Sequence, residues 1–239
     1  WTTTPWTLPS NTLLAVGSKI EYVAVQTYNQ YTGMPMTVVL AKNLLNVYFP
    51  SKNEELKLEE YTFGDKNTPF RVVDKVWRGA ELVGIRYEQL IPWVKTSGDF
   101  VTTEDGTGIV HTAPTFGADD AKIGKENNVP GLTLTDKEGN VRPMVDLTGR
   151  FFRVEGLDPA FVRDYVDVEL YSQYAGRYVK NEYDDSLTGE DATLDVDLSV
   201  MLKLQNRAFR IEKYVHSYPH CWTTRWIAGS CVPPLAAIR

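Results

Sequence analysis

From Lys19 to Tyr28 apolar and polar positions alternate, with Ile20, Tyr22 and then Ala24 or Val25 in phase, which predicts a strand. A second short apolar run, Met36 to Leu40, predicts a strand beside it, and Asn29 to Pro35, with Gly33 and Pro35, predicts the hairpin loop between them. Phe70 to Trp77 and Ala80 to Tyr87 predict two further strands joined at Arg78-Gly79. Gly108 to Thr112 predicts a short buried strand ending before Pro114, and Phe151 to Val154 predicts another. Ala41 to Thr68, with a possible helical turn over Ala41 to Leu45 and dense charge over Ser51 to Glu60, reads as a surface loop region. Asp119 to Asn128 has helical composition and stops at Val129-Pro130-Gly131. The longest predicted helix runs from about Asp195 to Val215, where Val196, Leu198, Val200, Met201, Leu204, Ala208, Ile211 and Val215 recur at helical spacing. At the start of the chain Pro5 and Pro9 argue against a regular helix and against a central strand. Short strands separated by Gly and Pro turns predict a mainly β fold with helices (α+β): a closed or nearly closed β-barrel core, short helical decorations and one longer C-terminal helix. Regular strand–helix alternation is lacking, which argues against a doubly wound sheet.

Composition narrows the setting more than the fold. Hydrophobic residues at 43% and charged residues at 23% are ordinary for a globular chain, and no run approaches the roughly 18 apolar residues of a membrane span. No basic-then-apolar leader opens the sequence. Cys221 and Cys231 both lie near the C-terminus, so no disulfide framework spans the body, and a cytoplasmic, reducing setting is expected. With 25 basic against 31 acidic residues the net charge is −6, a poor footprint for gripping long duplex nucleic acid. Capture of a short single-stranded end in a local pocket stays compatible with that charge.

Phosphate-cradling, nucleophile-elbow and dinucleotide-binding signatures are missing. Of three histidines, His216 and His220 stand four apart with Cys221 following, but Pro219 breaks a helix there and a fourth ligand is lacking, so no metal is expected. Nothing marks Cys221 as a stabilised thiolate. His111 has a richer context, Gly106-Thr-Gly-Ile-Val-His111-Thr-Ala-Pro-Thr-Phe-Gly-Ala-Asp-Asp120, in which a strand delivers the histidine to a rim and two carboxylates arrive at a helix start. The residues by themselves read first as a satisfied rim histidine followed by an N-capping Asp119 or Asp120, with part of a ligand site as the alternative. The hydroxyls of Thr2, Thr3 and Thr4 are likewise either a solvated edge or a set of donors and acceptors held by prolines.

Taken together, two segments carry a resemblance. Trp1-Thr-Thr-Thr-Pro-Trp-Thr-Leu-Pro-Ser-Asn11 resembles the threonine-rich peptide of class I aminoacyl-tRNA synthetase editing domains, in its isoleucyl version. The segment Gly106 to Asp120 resembles the second editing peptide of the same family, and Ser217-Tyr-Pro-His-Cys-Trp222 resembles the return to the synthetic domain. Residues 1–222 are thus expected to form the editing domain, and residues 223–239, which match nothing expected of the synthetic domain, a foreign or disordered tail. Thr115-Phe116-Gly117 stands where many bacterial members have Gly-His-Gly, a feature that resembles a eukaryotic-like branch and leaves no second histidine at Phe116.

The resemblance implies hydrolysis of valyl-tRNA(Ile) and valyl-adenylate with exclusion of isoleucine. Isoleucyl synthetases are themselves the standard illustration of how poorly one methylene is rejected by pocket size alone. It further implies that Asp120 pairs with the substrate ammonium, and that Thr2, Thr3 and Thr4 contact the aminoacyl ester, the 3′-terminal adenosine and a water. Asn11 would line the pocket with Trp1, and His111 would limit side-chain size, as a positioning group more than as a base. An oriented water, an ammonium anchor and donors to the developing oxyanion suffice for an activated ester, so no cofactor is expected. Expected partners are the tRNA 3′ end, valyl-adenylate and the catalytic body of a parent synthetase; no membrane is expected, and the isolated domain is expected to be a monomer. The rival readings are a valyl-type domain acting on threonine, a non-catalytic module that captures the tRNA 3′ end, and a structural β-barrel.

Overall fold

A computed structural model of the chain describes residues 1–95, 109–188, 190–213 and 236–238. The polar opening is ordered as a 3₁₀ helix, Pro5–Ser10. Pro5 occupies its first turn, where an N–H has no partner to lose, so the prolines that exclude an α-helix permit this tighter form. Strand β1 (Leu13–Ala15) follows, then β2 (Glu21–Tyr28), β3 (Pro35–Ala41), the one-turn helix α1 (Leu45–Tyr48) and β4 (Arg71–Arg78). After β5 (Val110–Thr112) come α2 (Ala118–Glu126), the two-residue strands β6 (Leu134–Thr135) and β7 (Val141–Arg142), α3 (Pro159–Tyr165), α4 (Val168–Tyr171) and α5 (Leu194–Leu204). Strands β8 (Ile211–Lys213) and β9 (Ala236–Ile238) pair antiparallel.

The hairpin expected near Asn29 is present: β2 pairs with β3 from Tyr22↔Ala41 to Tyr28↔Pro35, and on its other side with β4. Because β2 is central, four successive residues, Tyr22 to Val25, are buried. Its two faces feed two clusters: Val23 and Val25 pack with Leu40, Phe49 and Phe70, while Tyr22 packs with Val16 and Ala41. The main core lies elsewhere. Trp93 stacks on Tyr174 at 4.4 Å beside Phe151 and Tyr171, and α5 contributes Leu194, Leu198 and Leu202 at i, i+4, i+8. Leu8 of the opening segment belongs to this core.

The α+β class holds, but the expected barrel core does not. Among the described residues there is one three-stranded antiparallel sheet, in the order β3-β2-β4, and three two-stranded ones, none closed on itself. Strand β4 shows why: Arg71, Asp74, Lys75 and Arg78 are exposed along it, the charged kind of edge that discourages further pairing.

Three predicted elements also change. Ala80 to Tyr87 is not a strand, because a 3₁₀ turn, Gly79–Glu81, diverts the chain. Glu81 Oε2 accepts from Arg78 N at 2.6 Å, and Gly79 approaches the Gly17 backbone so closely that a Cβ would lie 2.0 Å from its carbonyl oxygen. The long C-terminal helix ends at Leu204: Asn206 adopts φ 58, and Arg207 N donates to Leu202 O at 2.8 Å, closing the helix with a left-handed cap. Phe151 forms only an isolated bridge to Val145, and a 3₁₀ turn follows at Val154–Gly156. Among the described residues, no helix is long and apolar enough to cross a membrane.

Candidate active site

The two motifs, about a hundred residues apart in sequence, meet on one ladder. Strand β1 pairs with β5 in the register Leu13↔Thr112, Leu14↔His111, Ala15↔Val110, and Thr12 N extends it to Thr112 O at 3.3 Å. Trp1 flanks β5 as well: its amino group donates to Ile109 O at 2.9 Å, and His111 N donates to Trp1 O at 3.2 Å. The 3₁₀ helix between these contacts is anchored from below. Leu8 enters the main core, and Trp6 N donates to Asp195 Oδ1 in α5 at 2.8 Å. Trp6 also packs edge-on against Phe116 at 5.0 Å, so the loop of the second motif lies on the turn of the first.

At the centre is His111, buried, with both ring nitrogens engaged. Nε2 lies 2.9 Å from Thr7 Oγ1, and Nδ1 lies 2.7 Å from Asn11 Nδ2. The chemistry of the neighbours sets the proton. Thr7 Oγ1 donates its only hydrogen to Thr4 O at 2.8 Å, so it accepts from His111, whose proton is therefore on Nε2. Nδ1 is then bare and accepts from Asn11, whose amide nitrogen also faces Leu13 O at 2.7 Å and Thr112 O at 3.2 Å. The amide oxygen of Asn11 accepts from Tyr87 Oη at 2.6 Å. Burial, with the positive amino group of Trp1 second, lowers the His111 pKa to about 3, so the ring is neutral at physiological pH.

Beyond Thr7 the contacts lengthen. Thr4 Oγ1 is 3.4 Å from Thr7 Oγ1 and 3.3 Å from Thr2 Oγ1, and Thr2 Oγ1 accepts from Thr4 N at 3.0 Å. Thr2 is buried, whereas Thr3 and Thr4 are half-buried. Gly117, at φ 93, turns the chain into α2, and Asp120 in the first turn accepts from Ala113 N through Oδ2 at 2.8 Å. That bond ties the helix start to the end of β5, two residues beyond His111. The Asp120 pKa is raised by burial, a shift opposed by the Ala113 N–H and reinforced by the neighbouring Asp119 carboxylate. Asp119 is exposed, and Asp120 Oδ1 has no hydrogen bond among the described residues.

Of the candidate residues, Thr2, Thr4, Asn11 and His111 are joined by hydrogen bonds directly or through Thr7. Thr3 sits within the threonine run, the Trp1 backbone borders β5, and Asp120 closes the end of that strand. His216, His220 and Cys221 lie outside the described residues, as does most of 223–239. Sequence reasoning missed three members. Thr7 stands one 3₁₀ turn after Thr4, a spacing that could have revealed it. Asp195 reads as an ordinary first-turn acid of a helix, and Tyr87 carries no signal at all.

No protein-family model matches the chain. It is 59% identical over 232 residues to an isoleucine–tRNA ligase of Bacteroides fragilis and 60% identical over 233 residues to that of Porphyromonas gingivalis. It is 48% identical over 242 residues to that of Cytophaga hutchinsonii. Each match covers 94% of this chain and 20% of the relative, so the chain spans about a fifth of the length of these curated relatives. All three relatives are bacterial; the eukaryotic-like expectation rests on Thr115-Phe116-Gly117 alone.

Proposed function

The chain is homologous to a segment of isoleucine–tRNA ligases, and from that premise we propose that it is their editing hydrolase, removing valine from tRNA(Ile) and from adenylate. The observation that carries the reading is the network joining the two motifs, which holds His111 neutral between Asn11 and Thr7 beside a row of threonine hydroxyls.

In this reading the valyl ester lies along Thr2 to Thr4. The 3.3 and 3.4 Å contacts among these hydroxyls are long for O–H···O bonds, so a ligand oxygen or a water can replace them at little cost. Water adds to the ester carbonyl, the oxyanion is stabilised by donors already oriented, and the ribose oxygen leaves with a proton. His111 does not serve as the base: its bare nitrogen is occupied by Asn11, and its pKa of about 3 makes it a weak proton acceptor. It is instead a fixed wall that limits the amino-acid side chain, a task suited to rejecting one additional methylene, worth about 1–3 kcal/mol. Asp120 offers Oδ1 to the substrate ammonium, with Asn11 and Trp1 lining the pocket. The 3′-terminal adenosine of tRNA would be presented by the catalytic body of a parent synthetase.

Deacylation of valyl-tRNA(Ile) by the chain, with isoleucyl-tRNA(Ile) and Asp120→Ala as controls, tests the reading. Selective loss of valine that disappears in the variant is expected. Binding of a valyl-adenosine analogue without turnover would instead mark a module that only captures the tRNA end, and absence of both would remove the assignment.

A further inference from the structure

Tyr87 reaches the hydrogen bonds around His111 from outside both motifs. Past the 3₁₀ turn Gly79–Glu81 the chain runs without regular helix or strand as far as Lys95, and two of its side chains hold the threonine-rich segment. Gln89 Nε2 donates to Pro9 O at 3.2 Å and to Val94 O at 3.1 Å, and Tyr87 Oη donates to Asn11 Oδ1 at 2.6 Å. The Tyr87 bond is among the shortest in the site, and the oxygen it reaches belongs to a buried amide.

The orientation of that amide is settled by its neighbours. Asn11 Nδ2 faces the carbonyl oxygens of Leu13 and Thr112, which can only accept, so the side chain cannot turn over to find another donor for Oδ1. Without the tyrosine hydroxyl, a buried carbonyl oxygen would lose its partner, while the two hydrogens of the amide nitrogen stayed turned toward Leu13 O, Thr112 O and His111 Nδ1. Burial raises the Tyr87 phenol well above its usual pKa, so the hydroxyl keeps its proton through the physiological range. The direction of donation then runs unbroken from Tyr87 to Asn11 and from Asn11 to His111 Nδ1. It continues from His111 Nε2, which donates to Thr7 Oγ1, to Thr7 Oγ1, which donates to Thr4 O.

We propose that Tyr87 is a specificity-determining positioning residue of this site. Its hydroxyl holds Asn11, and through Asn11 the Nε2-protonated His111 that bounds the amino-acid pocket. The effect on selectivity rests on the editing reading above; the effect on His111 does not.

Tyr87→Phe keeps the ring and removes only the donor. Two measurements on the whole chain test it: the ring ¹⁵N resonances of His111, assigned with His111→Gln, and kcat/KM for valyl-tRNA(Ile) against isoleucyl-tRNA(Ile). In the native chain one ring nitrogen is protonated and the other bare between pH 6 and 8. In Tyr87→Phe the two resonances move toward each other as the tautomers mix, and the valyl-to-isoleucyl ratio falls about tenfold, the scale of one positioned hydrogen bond. Asn11→Ala shows the same fall, and the double variant falls no further, because both changes break one chain of contacts. Native resonances together with a native ratio in Tyr87→Phe overturn the proposal. If the native chain hydrolyses neither ester, the editing reading fails and the ¹⁵N measurement alone decides: shifted resonances support the role of Tyr87, and unshifted ones overturn it.

Discussion

Asp120 and His111 stand on either side of the turn that follows β5, and burial moves their pKa values in opposite directions. Desolvation favours the neutral form of each, which raises the carboxyl pKa of Asp120 and lowers the imidazole pKa of His111 to about 3. If the ionised carboxylate anchors the ammonium, valyl-tRNA hydrolysis declines on acidification, at a pH that burial moves upward from that of a free aspartate. Asp120→Asn is expected to lower kcat/KM at least a hundredfold, the scale of losing a charged hydrogen bond of about 3 kcal/mol, and to abolish that acid limb. A pH–rate profile from pH 4 to 8 checks both. His111 contributes no limb between pH 5 and 8, so His111→Ala is expected to keep the native profile shape while hydrolysing isoleucyl-tRNA faster. A limb lost in that variant would restore the histidine as base. For folding the sign follows from the lowered pKa: stability from neutral His111 is present above pH 6.5 and is lost as pH falls toward 3.

Elements hold these residues through their ends more than through their length. The turn after β4 exists because Gly79 sits against the Gly17 carbonyl, and this contact sends the chain toward Tyr87 instead of into another strand. Gly79→Ala would place a methyl carbon 2.0 Å from that oxygen, so the backbone must shift. A loss of about 2–4 kcal/mol is expected from urea unfolding, with weaker isoleucine rejection as the tyrosine moves. Helix α5 ends through Asn206 at φ 58, a conformation that costs an alanine about 1 kcal/mol and glycine nothing. Asn206 Oδ1 also accepts from Thr32 Oγ1 at 2.9 Å, so Asn206→Ala should lower the melting temperature by a few degrees and Asn206→Gly, which loses only that bond, by less.

At the scale of the whole molecule, Asp195 links the site to the main core. It is 1% exposed, its Oδ1 receives Trp6 N, and its Oδ2 is buried without a hydrogen-bond partner. Burial pushes its pKa from 3.8 to about 7, against the pull of Trp6 N and Lys180. A raised folded pKa means that its contribution to stability is fully present below about pH 4 and is lost as pH rises to 7. Relative to Asp195→Asn, whose side chain carries no charge at any pH, the native chain is expected to lose about 2–4 kcal/mol between pH 4 and 8. Denaturant unfolding of both at the two pH values measures the difference, and a gap that does not change with pH would place the Asp195 pKa near its ordinary value.

Local chemistry was legible in the sequence wherever its cause was local. The alternation over Lys19 to Tyr28 marked β2, the Asn29 to Pro35 turn marked the hairpin, and the helical composition after Asp119 marked α2. The two peptides that carry His111, Asn11 and the threonines were visible as motifs. Their contacts were not: only the pairing of β1 with β5 brings Thr7 and Asn11 to the two nitrogens of His111. The barrel was over-read because short strands and turns do not encode closure, which depends on how charged edges such as β4 are faced. The end of α5 was misplaced because apolar spacing continued past Asn206, where the backbone conformation turned left-handed. Tyr87 and Asp195 had no signature, since Tyr87 closed a run that read as a strand and an acid in a helix's first turn is usually solvated. Residue types and short-range periodicity determined which groups were available; only the packing of segments far apart in sequence decided which were buried, and so which way each proton faces.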